Sequence, residues 1–177
     1  MGRKRLRRAV EGDFDSESFY TFHNTAMANL SLSSGIYQDT AGAINMTLEG
    51  SLSSENWQIY YQQGRYFIRN YDYGDYQLAL TESSRSVPKL MKRSGELGHQ
   101  WTLTRKDGDG WQLSNGLLGN GSLLCLNQAY TGTVPGMQPS EAGANWEILI
   151  NPSAGSPKGS DLYRDVEGFE VRITERK

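Results

Sequence analysis

Cysteine is nearly absent from this chain: a single one, Cys125, occurs in 177 residues. No disulfide can therefore form within it. Cys125 falls in the apolar run LLCL, where a lone thiol with no base nearby reads as a small core residue rather than a nucleophile. No apolar stretch approaches the ~18 residues of a membrane-spanning helix. The N-terminus is basic but has no apolar segment behind it, so it does not read as a signal peptide. As it stands the chain reads as cytoplasmic. The sequons at Asn29, Asn45 and Asn120 then read as chance matches.

Patterns that carry chemistry are missing too. The two histidines, His23 and His99, stand far apart in sequence, and no Gly-x-Ser-x-Gly elbow or Cys/His metal spacing is present. The DGDG stretch at 107–110 lacks the ligand number of a calcium loop and reads as a turn. No cofactor, no metal and no catalysis are expected. Positive charge is scarce outside one place. Arg3, Lys4, Arg5, Arg7 and Arg8 crowd the start, and residues 9–177 hold thirteen basic against twenty acidic side chains. An acidic body does not suit nucleic acid, which needs a basic face.

What the chain does have is aromatic residues and glycine: 4 Trp, 10 Tyr, 5 Phe and 20 Gly. Short apolar runs alternate with Gly, Asn, Asp and Ser clusters, as in an all-β protein rich in turns. These runs recur. Asn24, Asn70 and Asn115 lie 46 and 45 residues apart, and Trp57, Trp101 and Trp146 lie 44 and 45 apart. Between them fall Leu30/Leu32, Leu78/Leu80 and Leu124/Leu126. A further apolar position precedes each Trp: Met46/Leu48, Leu90/Met91 and Met137. Each repeat of about 45 residues reads as four strands with period-2 alternation. Turns are placed at Gly74, Gly95, Gly108, Gly110, Gly119 and Gly121, taken as residues with φ > 0. Three four-stranded units are too few for a propeller, which takes ~4–8 blades, but can close a barrel capped by hairpins. The expected fold is all-β, a β-trefoil with repeats at about 18–62, 63–107 and 108–150.

From about Phe19 to Ile150 the chain resembles fungal ricin-B-type β-trefoil proteins of the kind without disulfides. The likeness lies in its Tyr-x-Ile/Leu-x-Asn, Leu-x-Leu and Trp-x-Ile/Leu signatures. That resemblance implies a lectin-like carbohydrate-binding module. It also implies where a sugar site needs an Asp and a Gln. The Asp positions here hold Ser31, Ala79 and Cys125, and the Gln positions hold Glu55, His99 and Ala144. Gln100 is one residue out of place, which on a strand sends a side chain to the other face. Trp57, Trp101, Trp146 and Trp111 read as core.

Binding residues are therefore sought in loops. The richest loop, NYDYGDYQ at 70–77, offers Asp72, Tyr73 and Asp75 beside Tyr71 and Tyr76. Tyr37 with Asp39, and Asn127 with Tyr130, are the weaker candidates in the other repeats. Aromatic rings beside carboxylates suit a glycan, and tyrosine equally suits a protein partner. A non-enzymatic glycan-binding module is the leading expectation. A protein-interaction module that has lost sugar binding is the alternative, with catalysis a distant third. Residues 1–17 read as a basic then acidic tail, and 151–177 as a linker with one possible extra strand, GFEVRIT.

Overall fold

The computed structural model describes residues 12–34, 42–48, 50–106, 108, 110–126 and 134–157. Among these, twelve strands and short 3₁₀ turns are the only regular elements. In chain order the strands are β1 Tyr20–Asn24, β2 Ser31–Ser34, β3 Ile44–Thr47, β4 Trp57–Gln62, β5 Arg65–Asn70 and β6 Tyr76–Thr81. Then come β7 Ser84–Lys92, β8 Trp101–Arg105, β9 Trp111–Asn115, β10 Leu123–Cys125, β11 Gly136–Gln138 and β12 Trp146–Ile150.

Six of them close a ring. β4, β1, β12, β9, β8 and β5 pair in that order, and β5 returns to β4. Closure leaves this barrel no open edge. The other six form three hairpins, β2–β3, β6–β7 and β10–β11. Each run of four consecutive strands thus supplies two barrel strands and one hairpin.

The repeated sequence positions make repeated contacts. Trp57, Trp101 and Trp146 are fully buried, as expected of core residues. Burying an indole N–H without a partner is costly, and each finds one. Trp57 Nε1 donates to Leu32 O at 2.9 Å, Trp101 to Leu78 O at 2.8 Å and Trp146 to Leu124 O at 2.8 Å. These bonds tie each barrel strand to the hairpin of its own repeat. Inside the hairpins Leu32 faces Met46, Leu78 faces Leu90 and Leu124 faces Met137. Leu48 does not join this layer. β3 ends at Thr47, the alternation stops there, and Leu48 lies 66% exposed.

Each repeat opens on an aromatic residue at the far end of the barrel: Tyr20, Tyr66 and Trp111. Phe14 closes that end. Its ring lies 5.3 Å from Tyr20, 5.8 Å from Tyr66 and 4.8 Å from Trp111. The Asp15 and Asp13 amides donate to the Tyr20 and Tyr66 hydroxyls, both at 2.9 Å. Burial, with Asp13 close by, pushes the Tyr66 phenol up to about 12. Phe14 is thus core, although the sequence reading assigns it to the tail. At the other terminus, residues assigned to a linker also pack: Asn151 N donates to Phe19 O at 2.8 Å, and Pro157 is buried.

Of the glycines expected at φ > 0, Gly108 and Gly119 have φ of 77° and 78°, whereas Gly74, Gly95, Gly110 and Gly121 do not have positive φ. Gly110 instead lies against the Asn145 side chain. A Cβ there would stand 1.7 Å from Asn145 Oδ1.

Candidate functional site

The positions where a ricin-B-type sugar site needs carboxylates hold none and are closed. Ser31 and Ala79 are buried in β2 and β6. Cys125 Sγ is buried 3.4 Å from Leu123 O and Ser140 O, and burial pushes its thiol up to about 11. The Gln positions are equally committed. Glu55 is buried at the end of a 3₁₀ turn, Ser53–Glu55. Its carboxylate accepts from Thr47 Oγ1 at 2.5 Å, Gly50 N at 3.1 Å and Leu52 N at 3.3 Å, bracing the approach to β4. His99 Nδ1 lies 2.7 Å from Gln77 Oε1. An amide oxygen only accepts, so Nδ1 carries the hydrogen. Burial pushes His99 down to about 4. Gln100 is buried, and its amide donates to Gly95 O at 2.9 Å.

The three asparagines that end the opening strands are also spent on structure. Asn24, Asn70 and Asn115 donate from Nδ2 to Gly143 O, Ser54 O and Gly98 O. Each Oδ1 accepts the backbone N–H two residues on, at Ala26, Asp72 and Leu117. Only a side chain with both a donor and an acceptor does this.

The two histidines belong to separate networks. His23 Nδ1 lies 3.1 Å from Leu30 O and 3.4 Å from Ser31 Oγ, and its Nε2 lies 3.0 Å from Thr21 Oγ1. None of these partners is shared with His99. Among the described residues, no group of three or more His, Cys, Asp or Glu is placed to hold a metal ion, and no helix is long and apolar enough to cross a membrane.

The loop between β5 and β6 is the exposed feature. Asp72, Tyr73 and Asp75 all lie on it at the surface. It is stiffened from below: buried Arg69 donates from Nε to Gly74 O at 2.6 Å, and Tyr76 N bonds Tyr73 O at 2.9 Å. The Tyr73 and Tyr76 rings meet edge to face with centroids 6.4 Å apart. Asp72 Oδ1 accepts from Ser53 Oγ at 2.7 Å, linking the loop to the 3₁₀ turn. Tyr37, Asp39, Asn127 and Tyr130 lie outside the described residues.

Beside this loop opens a cleft of about 420 Å³, which the sequence reading does not include. Tyr71 forms one wall, residues 50–53 with Glu55 and Asn56 another, and Asn151 with Ser153 a third. Tyr71 is held by Phe19, with ring centroids 4.9 Å apart, and by its N–H on Asn56 O at 2.9 Å. Nearly half of its surface, 46%, remains exposed. Asn151 Nδ2 donates to Asn56 Oδ1 at 2.8 Å. That pair joins residues distant in the chain, so no local pattern reveals it.

No protein-family model and no curated protein matches the sequence. Solved structures do resemble it. A mosquitocidal holotoxin aligns with a TM-score of 0.65 at 19% identity, over 76% of this chain and 17% of that one. The designed threefold-symmetric protein ThreeFoil aligns at 0.59 and 15% identity, over 74% of this chain and 97% of that one. The chain is a β-trefoil. A Polyporus squamosus lectin, solved with Neu5Acα2-6Galβ1-4GlcNAc bound, aligns with this trefoil at 0.60 and 17% identity, over 77% and 50% of the two chains. The trefoil thus spans only a minor part of the holotoxin and half of the lectin.

Proposed function

We propose that this trefoil is a non-enzymatic, lectin-like module that recognises a glycan through aromatic and polar loop residues, chiefly those of the β5–β6 loop. One observation carries the reading. A half-exposed Tyr71 ring, fixed from behind by Phe19, walls a polar cleft, and Asp72 accepts a hydrogen bond from Ser53 of that cleft. A rigid ring supplies apolar contact at little entropic cost, and convergent amides, hydroxyls and a carboxylate supply orientation. The Polyporus squamosus lectin, solved with a glycan bound and similar in fold over half of its chain, supports the same reading. Asp72, Tyr73 and Asp75 are its contacts in the second repeat. Tyr37 with Asp39, and Asn127 with Tyr130, are the secondary candidate contacts, proposed apart from this cleft. A glycan array probed with the folded protein and with its Tyr71→Ala variant tests it. Binding that weakens in the variant is expected, and no binding above background by the wild type would overturn it.

A second reading, a protein-interaction module that has lost sugar binding, is favoured by the exposed rings of Tyr73 and Tyr76. It requires a protein captured from extract by the wild type and lost with Tyr73→Ala, together with a blank glycan array.

A further inference from the structure

We infer that the cleft between residues 50–56, Tyr71 and residues 151–154 is a single, symmetry-breaking binding site for an uncharged, hydroxyl-rich ring such as a neutral pyranose. This rests on the glycan reading above, and gives it a place and a ligand class.

The site is not one of three copies. The residue after each conserved-spacing asparagine is Thr25, Tyr71 and Gly116, so only the second repeat brings an aromatic ring to this position. The third wall comes from the Pro152–Ala154 3₁₀ turn, which follows the last barrel strand and, among the described residues, has no counterpart after β4 or β8. Ser31, Ala79 and Cys125 take no part in it.

Its chemistry suits a polyol. Asn151 Nδ2 has two hydrogens and gives one to Asn56 Oδ1, and that oxygen has a second lone pair. The pair therefore offers one donor and one acceptor side by side, the complement of adjacent sugar hydroxyls. Both amides are pre-oriented: Asn56 Nδ2 lies 3.3 Å from Leu52 O and Ser53 O, and Asn151 Oδ1 accepts from Ser153 N at 3.2 Å. Ser51 and Ser153 add hydroxyls to the walls, and the exposed part of Tyr71 offers a flat apolar surface. The volume falls within the ~300–1,000 Å³ of small-ligand pockets.

Charge sets the class. Among the described residues no Lys, Arg or His lines the cleft, whereas Glu55 does, its carboxylate engaged with Thr47, Gly50 and Leu52. A sialic acid, uronate, sulfate or phosphate group entering here meets the Glu55 carboxylate and no cation among the described residues, so anions are selected against.

The test is a titration of the folded protein with neutral oligosaccharides and with the same backbones carrying sialic acid or sulfate. Tyr71→Ala and Ser153→Trp, both at exposed positions, are run in parallel after checking that their Tm is unchanged. Neutral ligands are expected to bind, their charged counterparts about tenfold or more weakly, and both variants to lose about tenfold or more. No binding of any glycan overturns the glycan reading and this inference with it. Binding untouched by both variants leaves the glycan reading intact and overturns the cleft. A preference for the charged backbones overturns the ligand class.

Discussion

Asn24 and Trp146 stand directly opposite each other across the β1–β12 ladder, so the last strand of the barrel is closed by the first. The same relationship joins Asn70 to Trp57 and Asn115 to Trp101. In each pair the indole anchors a hairpin while the asparagine pins the turn that follows it.

That double duty makes the asparagines expensive to lose. Asn70→Ala removes the buried bond to Ser54 O and the part-buried bond from the Asp72 N–H. A loss of about 2–3 kcal/mol is expected, read as a lowered urea midpoint with unchanged slope. Asn70→Asp, which keeps the acceptor alone, should fall between.

Phe14 contributes from outside the repeats. Phe14→Ala opens a cavity among Tyr20, Tyr66 and Trp111 and should cost about 3–5 kcal/mol. A drop in Tm of roughly 10 °C is the corresponding calorimetric result. An unchanged Tm would show that the plug adds nothing to the barrel.

His99 makes stability depend on pH in a defined direction. Its folded pKa, about 4, lies below the ordinary value of 6.5, so the unfolded chain binds the proton more readily. The stabilisation is complete above 6.5 and is lost as pH falls toward 4. Between pH 7 and 5 the wild type should lose about 2 kcal/mol more than His99→Gln, measured by urea unfolding at both pH values.

Cys125 should be inert while the protein is folded. Its side chain is fully buried and its thiol is pushed up to about 11, so at pH 8 neither access nor thiolate is available. Labelling by a disulfide reagent is expected to be slower by about a hundredfold or more in native buffer than in concentrated urea. Equal rates would contradict the burial.

The recurring tryptophans and leucines were readable in the sequence because burial repeats a demand: the same volume and the same strand face, three times over. The architecture follows from them. Where the repeat stops, so does its guidance. Phe14 precedes the first repeat and has no partner spacing to mark it. Leu48 keeps the apolar type of its neighbours yet lies beyond the end of β3, where alternation no longer decides its side. The loop of Asp72, Tyr73 and Asp75 was visible as a cluster of aromatic and acidic residues. The cleft beside it was not, because Asn56 and Asn151 meet only through closure of the barrel. The glycines show the same limit. Gly110 looks like a turn residue, yet it lacks a positive φ and lies against the Asn145 side chain.

Phe14 touches one residue from each third of the barrel. An array of stacked repeats can fray from one end and keep the rest. Here a single ring draws on all three thirds at once, so loosening any one of them releases the stopper from the others. The repeats are alike in sequence, yet they are expected to melt as one body.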